Sequence, residues 1–156
     1  MNVNQPKAST PMTDIKSAEG EGLFTVLSEE ECRSLLEVST IGRLAFHSTA
    51  GLELLPLNFL FLDGCVYARV DRSSVIGDLA EGADEVVFQT DYHEDLYRQA
   101  WSVTVKGRID AVTDVADLAE LSTRRQLKPW ATGERTLYLR LSPVSFSGRK
   151  LVRYAR

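Results

Sequence analysis

Two apolar segments joined by an Asp-Gly pair constrain the fold of this chain more than any other feature. Residues 52–62 form a long apolar run with few polar positions, which predicts a strand buried on both faces. Asp63 and Gly64 follow, and this pair between two apolar runs is typical of a tight β-hairpin turn. Residues 65–70 return as the second strand. Because parallel neighbours need long crossover connections, a chain organised around short hairpins pairs its strands antiparallel.

The other elements predict a mainly β architecture. Ser28 and Glu31 have the spacing of a capping box, which indicates the start of a helix. Residues 101–112 alternate between apolar and polar side chains, as a half-buried strand does. Further strands are expected over residues 41–47, 85–90, 136–141 and 144–152, and short helices over residues 74–80 and after Asp114. About six antiparallel strands with few flanking helices predict a small closed or split β-barrel.

The length and charge of the chain limit its organisation and its partners. The chain has 156 residues, the length of one domain. Its first 22 residues are polar, so we expect a disordered tail without a secretory signal, followed by a single domain over residues 23–156. No apolar run approaches the roughly 20 residues of a membrane-spanning helix. The net charge of −4 argues against nucleic-acid binding, which usually requires a basic surface.

The few cysteines and histidines indicate neither disulfides nor a metal site. Cys32 falls in a predicted helix and Cys65 in a predicted strand, which does not resemble a disulfide framework. The two cysteines and the two histidines, His47 and His93, are too scattered for a zinc-binding pattern. We therefore expect no bound metal and a reducing, cytoplasmic compartment.

The segment from Tyr67 to Leu79 carries the strongest functional signal. A short strand ends near Arg69, a polar turn follows at residues 71–74, and a helix then begins. The arginine fork, the serine hydroxyls and the backbone N–H groups at the helix start are all donors that suit a phosphate. No nucleophile and base accompany them, so we expect a bound cofactor and no catalytic side chain. The alternative is an exposed turn with a solvated arginine and a serine cap.

Beyond these local signals, the ordered part of the chain resembles a known family. The resemblance lies in the order and spacing of six segments, which are residues 41–46 (IGRLAF), 55–58 (LPLN), 67–74 (YARVDRSS), 100–108 (AWSVTVKGR), 129–131 (PWA) and 147–151 (SGRKL). Together they resemble the flavin-binding split-barrel family of pyridoxamine 5'-phosphate oxidase, in particular its small actinobacterial members. The resemblance implies a six-stranded split barrel and a homodimer with flavin at the subunit interface.

The resemblance also implies which residues contact the cofactor. The backbone near Pro56 would lie along the edge of the isoalloxazine ring, and Arg69 with the serine turn would hold the phosphate of FMN. Trp101 would approach the ring or the ribityl chain, although its alternative is a core or interface aromatic. Asn58 is equally open to a structural hydrogen bond or a flavin contact. The full set of expected cofactor-binding residues is Pro56, Leu57, Asn58, Arg69, Val70, Ser73, Ser74, Val75, Trp101, Ser102 and Arg149.

One position departs from the family pattern. Family members commonly carry a lysine after the serine of this turn, where this chain has Val75. Arg72 is an alternative source of the second positive charge. If Arg72 does not supply this charge, the alternatives are a deazaflavin cofactor or a loss of cofactor binding. The resemblance thus favours a flavin-dependent oxidoreductase acting on a small molecule. The alternatives are a non-catalytic flavin or deazaflavin carrier or sensor, and a family member that no longer binds FMN.

Overall fold

The computed structural model describes residues 23–128 and 136–152. The expected N-terminal tail, residues 1–22, and the motif at residues 129–131 lie outside the described residues. Within the described ranges, no helix is both long and apolar enough to cross a membrane.

Eight strands and two α-helices make up the described chain. The strands are β1 (Leu23–Val26), β2 (Ile41–Ser48), β3 (Gly51–Asn58), β4 (Leu60–Leu62), β5 (Cys65–Val70), β6 (Ala83–Glu94), β7 (Gln99–Ala111) and β8 (Leu137–Val152). The α-helices are α1 (Glu29–Val38) and α2 (Val115–Thr123), and there are two 3-10 helices, Val75–Glu81 and Arg125–Leu127.

All eight strands form one antiparallel sheet in the order β3-β2-β6-β7-β8-β5-β4, and β1 pairs with the second half of β8. β3 and β4 stand at opposite ends of this order, yet only Phe59 separates them in sequence. Because one residue spans only about 3.5 Å, the two ends of the sheet must meet. The sheet therefore curls into a split barrel, which confirms the predicted mainly β fold class.

Phe59 is the point at which the chain crosses from one end of the sheet to the other. Its backbone N–H donates to the Thr40 carbonyl at 2.9 Å, and its fully buried ring lies edge-on to Phe88 with the ring centroids 4.7 Å apart. Residues 52–62 therefore form two strands instead of the single strand expected, and β1 is an additional strand. The two strands expected over residues 136–141 and 144–152 are a single strand, β8. The predicted burial on both faces is also wrong for this chain, because Leu52 is 72% and Leu54 63% exposed.

Local sequence signals are confirmed where they act over a few residues. Ser28 caps α1, with Glu31 completing the capping box. Asp63 and Gly64 both have positive φ, 50° and 78°, as a type I′ hairpin turn requires. β6 extends beyond the predicted residues 85–90 to Glu94, so the polar segment after residue 90 belongs to a hairpin arm and not to a loop.

Apolar side chains fill the interior of the barrel and the end of it that α1 covers. The main cluster contains residues from β2, β4, β5, β6, β7, β8, α1 and the 3-10 helix Val75–Glu81. α1 covers one end through Cys32 and Leu36, which are fully buried. A smaller cluster around Tyr67 and Leu121 packs α2 onto the outside of β5 and β8.

Candidate functional site

The serine turn, residues 71–74, is closed by its own hydrogen bonds. The Asp71 Oδ1 accepts from both the backbone N–H and the hydroxyl of Ser73, each at 2.8 Å. The Ser74 hydroxyl donates to the Asp71 carbonyl oxygen at 2.6 Å. Ser74 also stands at the N-cap of the 3-10 helix Val75–Glu81, but its side chain makes no capping bond. The hydroxyls expected to face a phosphate are thus donors within the turn.

Gly77 holds the serine turn against the 3-10 helix. A Cβ atom at this position would lie 2.2 Å from the Arg72 carbonyl oxygen, so only glycine allows the two backbone segments to approach this closely. The Gly77 N–H donates to the Ser74 carbonyl oxygen at 2.9 Å. This close contact keeps the turn in one conformation.

Arg69 and Val70 end β5 on opposite faces of the sheet. Val70 points into the barrel and is buried, so only its backbone can contact a cofactor. Arg69 points outward, and its guanidinium carbon lies 5.4 Å from the centroid of the Tyr138 ring. This distance is within the range of a cation–π contact, which orients the guanidinium across β8.

Val75, at the family's lysine position, is the first residue of the 3-10 helix and faces the core. It is half-buried and packs against the main apolar cluster. It also lines a cleft of about 300 Å³ between the β2–β3 turn and the 3-10 helix. Phe46 and Leu79 contribute apolar surface to this cleft, and His47 and Asp78 contribute polar groups.

A polar track crosses five strands on the outer face of the sheet, the face that points away from the barrel interior. Pro56 on β3 pairs with Arg43 on β2, and the Arg43 Nη1 lies 2.7 Å from the Asp91 Oδ1 on β6. Asp91 pairs with Ser102 on β7, which pairs with Arg149 on β8. With strands about 4.8 Å apart, the outer track spans roughly 19 Å. Sequence reasoning missed Arg43 and Asp91, because only the strand register brings them together.

β3 forms one end of the sheet. Among the described residues it pairs only with β2, so its other edge leaves backbone N–H and C=O groups open. Leu57 packs inward against the main cluster, whereas Pro56 is exposed and Asn58 is half-buried. This open edge is where the resemblance puts the backbone contacts to a flavin ring.

Trp101 lies on the opposite face from the outer track. Adjacent residues on a strand point to opposite sides, so Ser102 faces outward while Trp101 packs against the main cluster. Its ring stacks beside Tyr92 on the same hairpin arm, with centroids 6.2 Å apart and planes 20° apart. Of the two interpretations of Trp101, the core aromatic is therefore the one that matches its contacts within this chain.

Among the described groups with shifted pKa values, Tyr92 stacks on Trp101, and a hydrogen bond with Glu94 raises its pKa. Burial raises the pKa of Cys32 under α1 and that of Tyr67 beneath α2. His93 lies 3.1 Å from Asp95, but both side chains are exposed at the end of the hairpin arm. Within residues 23–128 and 136–152, no three metal-ligating side chains cluster. The expected site residues thus offer donors and positive charge, and the described region shows no acid–base pair among them.

The chain matches the model of the family described as pyridoxamine 5'-phosphate oxidase over residues 28–150. It belongs to this family. This match confirms the resemblance that the six sequence segments predicted.

Several relatives are similar over most of the chain. An FAD-binding protein from Mycobacterium smegmatis is 30% identical with a TM-score of 0.68, covering 83% of this chain and 98% of that chain. A structure from Corynebacterium glutamicum has a TM-score of 0.72 at 24% identity, covering 90% of this chain and 100% of that chain, and shares the fold. The uncharacterized protein Rv0080 of Mycobacterium tuberculosis is 26% identical over 134 residues, which are 83% of this chain and 87% of that protein.

The family resemblance implied that the expected cofactor-binding residues form one site. In a single chain these residues lie in two separate groups. Arg69 pairs with Tyr138 near the start of β8, whereas Arg149 lies near the end of the same strand. The eleven steps from position 138 to position 149 correspond to about 36 Å along a strand at about 3.3 Å per residue. The serine turn and the outer track are therefore two separate parts of one chain.

Proposed function

We propose that this protein binds a flavin between the two subunits of a homodimer and acts as a flavin-dependent oxidoreductase on a small molecule. The observation that carries the proposal is the 30% identity with the FAD-binding protein of Mycobacterium smegmatis over 83% of this chain. The open edge of β3 beside the outer track supports it, because a flavin ring needs backbone donors and acceptors along its edge. Separate free thiols at Cys32 and Cys65 are compatible with our proposal of a cytoplasmic protein.

The homodimer is proposed from the exposed apolar side chains on the outer face of the sheet. Leu52 and Leu54 on β3 expose apolar side chains, and Ile41 on the neighbouring strand is 50% exposed. Arg43 and Pro56 lie between Ile41 and the two leucines in the strand register, so these are separate apolar positions on one face. Exposed apolar side chains on one face are typical of a protein interface. A second copy would cover these residues and bring its own serine turn to the first copy's outer track, so that the two groups of expected residues complete one site.

Each part of the chain has a defined task in this proposal. The backbone at Pro56–Asn58 would orient the ring, and Ser102 and Arg149 would offer a hydroxyl donor and a positive charge beside it. Arg69 would contact the phosphate end. The flavin supplies the electron transfer itself, and the protein supplies binding, orientation and electrostatics. This division of labour needs no nucleophile and no side-chain base.

Flavin titration followed by turnover tests the proposal. The purified protein is titrated with FAD and with FMN while the visible flavin absorbance is followed, and flavin reduction and reoxidation are then measured with candidate electron donors and acceptors. We expect saturable binding at low micromolar concentration. Arg69→Ala should weaken binding at least tenfold, because one charge-assisted contact is typically worth about that much.

Arg124→Ala is the matched control for Arg69→Ala, because Arg124 pairs with Glu120 on α2 and lies outside the expected site. It should bind flavin as the wild type does. A protein that binds neither FAD nor FMN at these concentrations would overturn the proposed function and would leave a deazaflavin or no cofactor as the alternatives.

A non-catalytic flavin carrier or sensor is the second candidate function. The observation that favours it is the serine turn, where the hydroxyls of Ser73 and Ser74 bond to Asp71 and a valine occupies the lysine position. Tight flavin binding without turnover of any donor or acceptor tested would favour the carrier, whereas multiple turnovers per bound flavin would establish the oxidoreductase.

A further inference from the structure

The cleft beside Val75 forms where two neighbouring strands of the sheet separate. β2 and β6 pair only between residues 43–45 and residues 87–89, although β2 continues to Ser48 and β6 begins at Ala83. Beyond this pairing, the end of β2 and the start of β6 have no strand partner in each other. The facing edges of the two strands therefore lack ladder hydrogen bonds to each other along the cleft.

Gly82 and a register shift in β6 set the shape of this opening. Gly82 ends the 3-10 helix with a φ of 94°, in the left-handed region that favours glycine. β6 then shifts its register against β7 between Ala83 and Val86. Arg108 on β7 lies against Gly82 and forms an ion pair with Asp84, which ties the start of β6 to β7. The cleft is therefore part of the folded sheet.

Three apolar side chains form the base of the cleft. Phe46 and Leu79 are buried, and Val75 is half-buried. The volume of the cleft is about 300 Å³, at the lower end of the range of small-molecule sites. A single ring or a short apolar chain fits this space and would pack against the base.

The charged groups around the cleft are mainly acidic. Asp78 lines it with an exposed side chain. Glu53 stands at its β2–β3 end, where the Glu53 Oε1 accepts a hydrogen bond of 2.9 Å from the hydroxyl of Ser48, a lining residue. None of the nine described residues that line the cleft is a lysine or an arginine, and the nearby guanidinium of Arg108 is already in an ion pair. The cleft therefore favours a cation over an anion.

Val75 connects the cleft to the position at which this chain departs from the family pattern. A lysine at this position would add a positive charge to the lining, whereas the valine adds apolar surface and no charge. The departure therefore changes the charge of the ligand that the cleft can accept.

We infer that the cleft binds a small organic cation, a protonated amine carried on a single ring or a short apolar chain. The apolar part packs on Phe46, Val75 and Leu79, and the ammonium group faces Asp78. Ligands that carry a phosphate or a carboxylate are disfavoured. The inference goes beyond the proposed flavin function and does not depend on it, because no lining residue belongs to the outer track or to the serine turn.

Three ligands that share one ring and differ in charge test the inference. Benzylamine, which is protonated at pH 7.5, benzyl alcohol and benzoate are each titrated into the isotope-labelled full chain as purified, and the backbone amide NMR shifts are followed. We expect saturable benzylamine binding at millimolar concentration, with the largest shifts at Ser48, Thr49 and Ala83. Benzyl alcohol should bind at least threefold more weakly, as the loss of one exposed ion pair predicts, and benzoate should not saturate.

Substitution of Asp78 tests the source of the charge preference. Asp78→Asn should weaken benzylamine binding at least threefold and leave benzyl alcohol binding unchanged, because it removes the carboxylate charge and keeps the side-chain size. Glu81→Gln is the matched control, since Glu81 is exposed on the same 3-10 helix and does not line the cleft. It should bind benzylamine as the wild type does.

Substitution of Val75 provides an independent arm. Val75→Lys should abolish saturable benzylamine binding, because it adds a positive charge to the lining. Val75→Met, an unbranched side chain without charge, should bind benzylamine within twofold of the wild type. Thermal unfolding establishes that each variant is folded, and Asp78→Asn decides the question if Val75→Lys is not.

The outcomes of these titrations are distinct. Saturable benzylamine binding with shifts at the cleft, weakened in Asp78→Asn, supports the inference. No saturation by about 20 mM benzylamine, a weak limit even for so small a ligand, overturns it. Benzoate binding as tightly as benzylamine, shifts confined to the outer track, or unchanged binding in Asp78→Asn also overturns it. Each of these results holds whether or not the protein binds a flavin, so failure of this inference and failure of the proposed function are separate findings.

Discussion

Gly77 shows how a single residue controls the shape of the proposed cofactor site. Gly77→Ala would place a methyl group 2.2 Å from the Arg72 carbonyl oxygen, and neither backbone segment can move without disturbing the serine turn. We expect the free energy of unfolding to fall by about 1–3 kcal/mol, as overpacking usually costs. Chemical denaturation monitored by tryptophan fluorescence measures this change.

Glu81→Ala is the control at the same scale. Glu81 is exposed on the same 3-10 helix, so its replacement should change the free energy of unfolding by less than about 0.5 kcal/mol. A Gly77→Ala variant as stable as Glu81→Ala would show that the turn tolerates a Cβ there. The rigidity attributed to the serine turn would then be wrong.

At the scale of one element, α1 depends on its capping box. The Ser28 N–H donates to the Glu31 carboxylate at 2.7 Å, and the Glu31 N–H donates to the Ser28 hydroxyl oxygen at 3.2 Å. Hydrogen bonding of the carboxylate to Ser28, first to its backbone N–H and then to its side chain, holds the pKa of Glu31 below its usual value of 4.5. The carboxylate therefore stabilises the folded state above that pH, and this stabilisation is lost as the pH falls through the folded-state pKa.

Glu31→Gln tests this pH dependence. We expect the variant to be less stable than the wild type at pH 7, and the difference in the free energy of unfolding to narrow below pH 4.5 as the wild-type carboxylate gains a proton. Glu37→Gln, at an exposed position of the same helix, controls for the general effect of removing a charge. A difference for Glu31→Gln that is the same at pH 7 and pH 3 would contradict the assigned role of the capping box.

At the scale of the whole molecule, the outer face of β3 decides whether two copies associate. Leu54→Glu places a charge in the proposed interface and should weaken the dimer at least tenfold, because an unpaired charge cannot be buried without cost. The fold of the separate chain should be unaffected, since Leu54 is 63% exposed in it. Sedimentation velocity over a range of micromolar concentrations measures the dissociation, and flavin titration should show a parallel loss.

Val115→Glu is the matched whole-molecule control. Val115 is 81% exposed on α2, away from the outer track, so this variant should remain dimeric and should bind flavin. A wild-type protein that sediments as a monomer at micromolar concentration would refute the proposed dimer and, with it, the shared site.

The elements whose conformation is set by residues close together in the sequence were predictable from the sequence. The capping box at Ser28 and the Asp63–Gly64 turn each act over four residues or fewer, and the alternation along β7 reports directly which side chains face the core. The family resemblance rested on the same kind of signal extended over the chain, and the match over residues 28–150 confirms it. The predicted site residues came mostly from that resemblance, with the anion-binding pattern near Arg69 found independently.

The amino-acid sequence by itself determined the local conformations, the antiparallel β class and the family, because these follow from propensities and spacings within short segments. Only the tertiary structure decided the chain crossing at Phe59 and the outer track that pairs Arg43 with Asp91. It also decided that Asp71 would take the donors of the serine turn. These features depend on strand register and on the direction of individual side chains, which are set by packing among residues far apart in the chain.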